Sequence, residues 1–257
     1  MTDTPPPDNR PIGAVIFDLG ETLLNYHPVE MNRSFYTGTR LAWRYARQVD
    51  RAPASFWQYF TYLFLAVRWK YLKSLITGRE FDSLELLRRL HRHMNCRLSE
   101  PQVIELAWRL YYPLSRAADV DRDAHAVLAG LHERGISLAL LSNTFLPAVV
   151  LDRHLEEVGL IRYLPSRVYS SETIVRKPDP EVFAIALAKA GLQAAETLYV
   201  GDSIRYDVRG AAAAGMRSAL KDPLGLGARA RPKPTYRIKR LGELLEIVDR
   251  VNGPAGG

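Results

Sequence analysis

The sequence predicts an α/β protein: a parallel sheet with helices on both faces, interrupted by an inserted all-helical segment. Three observations predict it. Short apolar runs end abruptly on polar residues, as at Ala14–Phe17 before Asp18, 137–141 before Ser142 and 197–200 before Gly201 and Asp202, and such runs read as buried parallel strands. Helical spacing fills the segments around the later strands, the alternation from which crossover units are built. Residues 27–118, by contrast, show no strand alternation and have a composition of their own.

At 257 residues, 47% apolar and 25% charged, the chain has enough length to bury a full core. The net charge of +7 is unevenly placed: residues 27–118 hold 15 Lys and Arg against seven acids, leaving −1 for the remainder, and they hold all four tryptophans. This shift marks a domain boundary. A basic, aromatic segment can serve single-stranded nucleic acid, but the simpler expectation is that its aromatics form an interior and its arginines a solvated face. No run of about 18 apolar residues occurs, since the longest candidate, 56–67, stops at Arg68. The first residues carry an acid and no apolar centre, so no signal peptide is read there and a cytoplasmic protein is expected. The single cysteine, Cys96, allows no internal disulfide and no cysteine-based zinc site, and is expected to be packed.

In chain order, residues 1–11 are Pro-rich and read as a disordered tail. The core is expected over 12–26 and 119–252, with the helical insert over 27–118. Mixed three- and four-residue spacing predicts helices over 41–49, 56–76 and 81–94, and Ser99-Glu-Pro-Gln102 opens a fourth with a capping-box pattern. Beyond 119 a helix over 124–134 is stopped by Gly135, a strand covers 137–141, and a short strand covers 168–171. A helix over 181–190 stops at Gly191, a strand covers 197–200, and a helix through 211–214 ends at Gly215. Strands at 217–220 and 236–238 flank a Gly-, Pro- and Arg-rich loop, and a helix over 241–251 closes the chain.

Ligands of open α/β sheets sit outside the carboxyl ends of the strands. Asp18, Ser142 with Asn143, and Asp202 with Ser203 all occupy such ends and are expected to converge. Paired aspartates with backbone carbonyls make a hard, all-oxygen site that suits Mg²⁺ and serves zinc poorly. Lys177 stands immediately before Pro178, outside any regular helix; taken alone, a lysine there is expected on the surface.

Asp18-Leu-Gly-Glu-Thr-Leu23, Leu140-Leu-Ser-Asn-Thr144, Arg176-Lys-Pro-Asp-Pro-Glu-Val-Phe183 and the run from Val200-Gly-Asp-Ser to Gly215-Met216 resemble, in order and context, the four motifs of the haloacid-dehalogenase-like hydrolases. The resemblance covers the α/β part and implies a Rossmann-like sheet, with residues 27–118 in the place of a helical cap of the C1 type. It implies a Mg²⁺-dependent phosphatase of small phosphorylated metabolites. Asp18 would attack phosphorus to give an aspartyl-phosphate. Asp18, the Gly20 carbonyl, Asp202 and Asp207 would hold the metal. Ser142 and Asn143 would bind phosphoryl oxygens, and Lys177 would neutralise Asp18 and the transferring group. Asp207 also has an ordinary reading as a helix N-cap.

The chain departs from the family at Gly20, where its phosphatases usually carry an Asp as general acid. Glu21, Tyr26, His27 or a cap residue are the available substitutes, and Glu21 reads more simply as a turn residue. Two other readings stand beside the phosphatase. One is a dehalogenase or phosphonatase, the latter needing a cap lysine such as Lys70 or Lys73. The other is a catalytically weakened member whose cap is a binding module; a membrane span is excluded and nucleic acid is the less favoured partner.

Overall fold

The computed structural model describes residues 10–26, 29–50, 55–229 and 231–253; most of the expected disordered tail and His27 lie outside them. The chain enters the core as β1 (Ala14–Phe17), every residue of which is buried. After a tight loop, β2 (Leu24–Asn25) leads into α1 (Met31–Val49), α2 (Phe56–Thr77), α3 (Ser83–His93) and α4 (Glu100–Ala117). The chain returns through β3 (Asp119–Val120), which pairs antiparallel with β2, so a two-stranded ribbon joins the helical cap to the sheet. There follow α5 (Ala124–Glu133), β4 (Ser137–Ser142), α6 (Ala148–Glu157), β5 (Ser166–Tyr169), α7 (Ser170–Thr173), α8 (Pro180–Ala190) and β6 (Thr197–Gly201). After a π-helical turn at Ile204–Val208 come α9 (Arg209–Ala213), β7 (Arg217–Lys221), β8 (Tyr236–Ile238) and α10 (Glu243–Asn252).

The six core strands form one parallel sheet in the order β5-β4-β1-β6-β7-β8. Its two faces are built by alternation. Val15, Phe17, Leu138, Leu140, Leu198 and Val200 pack on one side with α5, α6 and α10, while Ile16, Ala139, Leu141 and Tyr199 pack on the other with α8 and α9. Strands covered on both faces have no polar side to show, which is why they read as continuous apolar runs. β1 lies between β4 and β6, so the residues following these three strands emerge side by side.

Several expected boundaries shift for local reasons. The short strand expected at 168–171 covers Ser166–Tyr169, because Ser170 opens α7. The helix expected from 41 begins ten residues earlier, at Met31. α6 has no counterpart in the expected series. The fourth cap helix starts where its capping box placed it, and the Ser99 N–H donates to Gln102 Oε1 at 2.8 Å.

The cap divides its aromatics between inside and outside. Trp108 is buried and Trp43 half-buried, but Trp57 and Trp69 on α2 are 64% and 69% exposed, against the expectation of an aromatic interior. α1 and α4 pack so closely that a Cβ at Gly38 would collide with the Leu110 carbonyl. None of the helices among the described residues is long and apolar enough to cross a membrane.

Two buried joints seat the cap on the core. Arg176 Nη1 donates to Ser74 Oγ at 2.9 Å and lies 3.4 Å from Glu80, whose backbone N–H donates to the Ile174 carbonyl. At the ribbon, Lys221 Nζ lies 2.7 Å from Asp121 and donates to the carbonyls of Glu21 and Thr22. That single ammonium ties the loop after β1 to the return strand.

Candidate active site

Asp18 follows β1 directly, and its own N–H donates to the Val200 carbonyl at 2.8 Å, which fixes it at the sheet edge beside the end of β6. Asp202 follows β6. Asp207, five residues on, sits in the π-helical turn with Ser203 as that turn's cap: Ser203 Oγ accepts from the Tyr206 N–H, while Asp207 Oδ2 accepts from the Ser203 N–H at 2.8 Å. The N-cap reading of Asp207 is therefore corrected, since the capping residue is Ser203 and Asp207 turns inward. Gly201 makes this possible, because any Cβ there would overlap the Asp207 carboxyl group.

The carboxylates of Asp18, Asp202 and Asp207 each place an oxygen within 4.8 Å of the others. Asp18 and Asp207 are buried, and Asp202 is exposed. The donors are all hard oxygens, a set that fits Mg²⁺ far better than zinc or copper.

Lys177 is the cation of the site, and the surface reading of it is overturned: it is 3% exposed. Its Nζ donates to Asp18 Oδ1 and Asp207 Oδ1, both at 2.6 Å, and to the Tyr199 hydroxyl at 2.8 Å. Burial works to lower its pKa, and the two carboxylates more than offset this, holding it above the ordinary lysine value. Burial above all pushes Asp18 up to about 7, with Lys177 opposing and Asp207 adding. Desolvation first, then Asp207, raises Asp202 to about 6. Three clustered acids, two of which hold the one ammonium, repel one another, the electrostatic setting in which a divalent cation binds.

Ser142 ends β4 and lines the same cavity, as does Asn143. The Asn143 amide spends both ends on Lys177: its Nδ2 donates to the Lys177 carbonyl at 3.0 Å and its Oδ1 accepts from the Lys177 N–H at 2.8 Å. Its side chain thereby holds the lysine's backbone in place.

At Gly20 a Cβ would meet the edge of the Tyr26 ring at 3.8 Å, ordinary contact with no clash. Glu21 lies at φ 56° and its Oε1 accepts from the Tyr26 N–H at 3.0 Å, the turn role expected of it. Tyr26 Oη is hydrogen-bonded to Tyr111 Oη on α4, which is bonded in turn to His154 Nδ1 on α6, both at 2.9 Å. This chain of hydroxyls links core, cap and core again. Burial above all pushes the Tyr26 phenol up to about 12, so it stays protonated. Lys70 and Lys73 are not among the residues lining the cavity, whose one cation among the described residues is Lys177.

Sequence reasoning missed Tyr199, Tyr111, His154 and Lys221. Tyr199 had a signal, a hydroxyl-bearing ring within an otherwise aliphatic strand. The other three had none, because their partners come from elements far away in the chain.

An aspartate at the end of the central strand, two further acids after its neighbour, a buried lysine and a helical lid define an α/β hydrolase with an aspartate-centred site. The chain belongs to the haloacid dehalogenase-like hydrolases, whose family model matches residues 12–215. It is 31% identical over 134 residues to the ribulose-1,5-bisphosphate 5-phosphatase of Halopiger xanaduensis, covering 49% of this chain and 55% of that one. It is 35% identical over 125 residues to the phosphoserine phosphatase of Thermus thermophilus, covering 49% and 48%. The matches thus span about half the length of these relatives. In fold it resembles the 2-haloacid dehalogenase of Pseudomonas syringae, with a TM-score of 0.64, 22% identity and coverage of 93% and 99%. It also resembles the HAD-hydrolase YfnB of Bacillus subtilis, a magnesium-bound structure, with a TM-score of 0.57, 20% identity and coverage of 93% and 100%.

Proposed function

We propose that the protein is a Mg²⁺-dependent phosphatase of small phosphorylated metabolites that works through an aspartyl-phosphate on Asp18. The observation that carries this reading is the cluster of Asp18, Asp202 and Asp207 around Lys177, an acid-rich site with the donor set of a hard divalent cation. Its relatives of known substrate, phosphoserine phosphatase and phosphoglycolate phosphatase among them, support the reaction class.

Asp18, the Gly20 carbonyl, Asp202 and Asp207 would hold Mg²⁺, which supplies positive charge against the anionic phosphoryl group. A carboxylate oxygen of Asp18 attacks phosphorus; the bond to the leaving oxygen breaks, and that oxygen takes the electron pair. Water then displaces the aspartate and releases phosphate, regenerating Asp18. Lys177 neutralises Asp18 and the transferring oxygens, and Ser142 donates to them. Asn143 acts as a positioning residue for Lys177. With glycine at position 20 the leaving oxygen has no carboxylic acid beside it, which costs part of the roughly 10² to 10⁴-fold that acid–base catalysis contributes.

Purified protein and Asp18→Asn are to be compared on acetyl phosphate with Mg²⁺ and with chelator. The expected outcome is Mg²⁺-dependent turnover by the wild type and a loss of roughly 10³-fold or more in the variant. Equal turnover by both, or indifference of the wild type to chelator, would remove the mechanism.

A further inference from the structure

The cavity in front of Asp18 measures about 460 Å³ and is lopsided in charge. Lys177 is its one cation among the described residues, and that ammonium is already shared by Asp18, Asp207 and Tyr199. Asp18, Glu21, Asp202 and Asp207 line it as acids. A second anionic group on a substrate would therefore lose water and meet carboxylates with no partner of its own. Arg79, Arg176, Arg205 and Arg209 line a neighbouring cleft that shares Lys177 and Tyr206 with this cavity, and none of the four lines the cavity itself.

One wall is apolar, and behind it lies a second cavity of about 130 Å³ between the cap helices and core residues Phe145, Leu146 and Pro147. The two share Met31, Tyr111, Leu114 and Leu146. The rest of the inner cavity is walled by side chains such as Phe35, Leu63, Val67, Leu86 and Leu110, and no charged residue among the described residues lines it. Ser83, also in its wall, has a buried hydroxyl with no partner among the described residues, an offer of one hydrogen bond to an uncharged polar atom. A dry apolar cavity of about 150 Å³ accepts benzene, so this one has the size for a ring or a short branched hydrocarbon.

We propose that the substrate is a phosphate monoester whose leaving group is uncharged and carries an apolar ring or short hydrocarbon branch that seats in the cap cavity while its phosphoryl group faces Asp18. The proposal rests on the phosphatase reading. It sets this chain apart from relatives named for phosphoserine, phosphoglycolate or ribulose bisphosphate, substrates that carry a carboxylate or a second phosphate.

The test measures kcat/KM for acetyl phosphate, ethyl phosphate, benzyl phosphate and phosphoglycolate, with Mg²⁺. The last three all expel a primary alkoxide, which limits the leaving-group effect, and the cavity-filling variants isolate what the pocket adds. Benzyl phosphate should exceed ethyl phosphate by about 10-fold or more, the scale of hydrophobic-pocket discrimination, and phosphoglycolate should fall below ethyl phosphate. Ser34→Phe fills the cavity from α1 and should cut the benzyl-to-ethyl ratio towards one; Val67→Phe fills it from α2 and serves if the first variant does not fold. Hydrolysis of acetyl phosphate with phosphoglycolate equal to or above benzyl phosphate overturns the inference and leaves the phosphatase standing, as does a benzyl preference untouched in both variants. No turnover of any of the four strikes at the phosphatase itself and takes the inference with it.

Discussion

Lys177 Nζ lies 2.6 Å from Asp18 Oδ1, both groups buried, although 159 residues separate them in the chain. The same ammonium neutralises Asp207. Replacing Lys177 by Met leaves two facing carboxylates with no cation, and breaking a buried pair in this way typically costs about 3–5 kcal/mol. The cost should depend on pH, because Asp18 can escape it by taking a proton. Denaturant unfolding of wild type and Lys177→Met in chelator should give a larger difference at pH 8 than at pH 6. An equal difference at both would mean that the lysine's stem, not its charge, holds the site.

The metal-free protein should itself lose stability as pH rises. Burial lifts Asp18 from 3.8 to about 7, and partial desolvation beside Asp207 lifts Asp202 from 3.8 to about 6, so the folded state holds protons that the unfolded chain has already released. A raised carboxyl pKa contributes stability that is full below the unfolded value and is lost as pH climbs through the folded one. His91 and His154, both lowered chiefly by burial, work against this trend, because near the ordinary histidine range the unfolded chain holds protons that the folded state does not. Melting temperature in chelator should therefore fall between pH 6 and pH 8 relative to that of Asp18→Asn, which keeps both histidines. Added Mg²⁺ should restore it at pH 8 and do less at pH 6, where protons compete for the same oxygens. No fall relative to Asp18→Asn over that interval without metal would contradict the assignment.

Gly20 should leave a kinetic signature. Without a positioned acid the leaving oxygen departs as an anion, so the rate should depend steeply on leaving-group pKa, favouring aryl and acyl phosphates over alkyl esters. The contact of 3.8 Å to the Tyr26 ring leaves room for a Cβ, so Gly20→Asp is expected to fold. It should raise turnover of alkyl phosphates more than of aryl phosphates, by less than about 10⁴-fold, since the surrounding groups were not shaped for the new carboxyl. A flat leaving-group dependence in the wild type would assign proton donation to another group, Tyr26 or Glu21 first.

Much of the core was legible because parallel strands covered on both faces must be apolar throughout and must stop where the sheet edge meets solvent. Val15, Phe17, Leu198 and Val200 could be read in this way, and so could the polar residues that follow them. Asp18, Ser142 and Asp202 stood out as acids or hydroxyls at the ends of apolar runs. α6 was not legible, since Val149 and Asp152 blur its apolar stripe and Pro147 precedes it as an ordinary turn residue would.

The sequence by itself determined the succession of the six core strands and most of the helices between them, the basic aromatic composition of the cap and the acids that close the central strands, because these follow from local periodicity and residue chemistry. Only the tertiary structure decided that Lys177 is buried, that Asp207 turns inward while Ser203 caps, that Asn143 grips the lysine's backbone and that Trp57 and Trp69 face outward. The physical reason is the same in each case. A side chain's partner is set by which elements the sheet order β5-β4-β1-β6-β7-β8 brings together, and a charge, amide or ring carries no local mark of the neighbour it will meet 30 or 159 residues away.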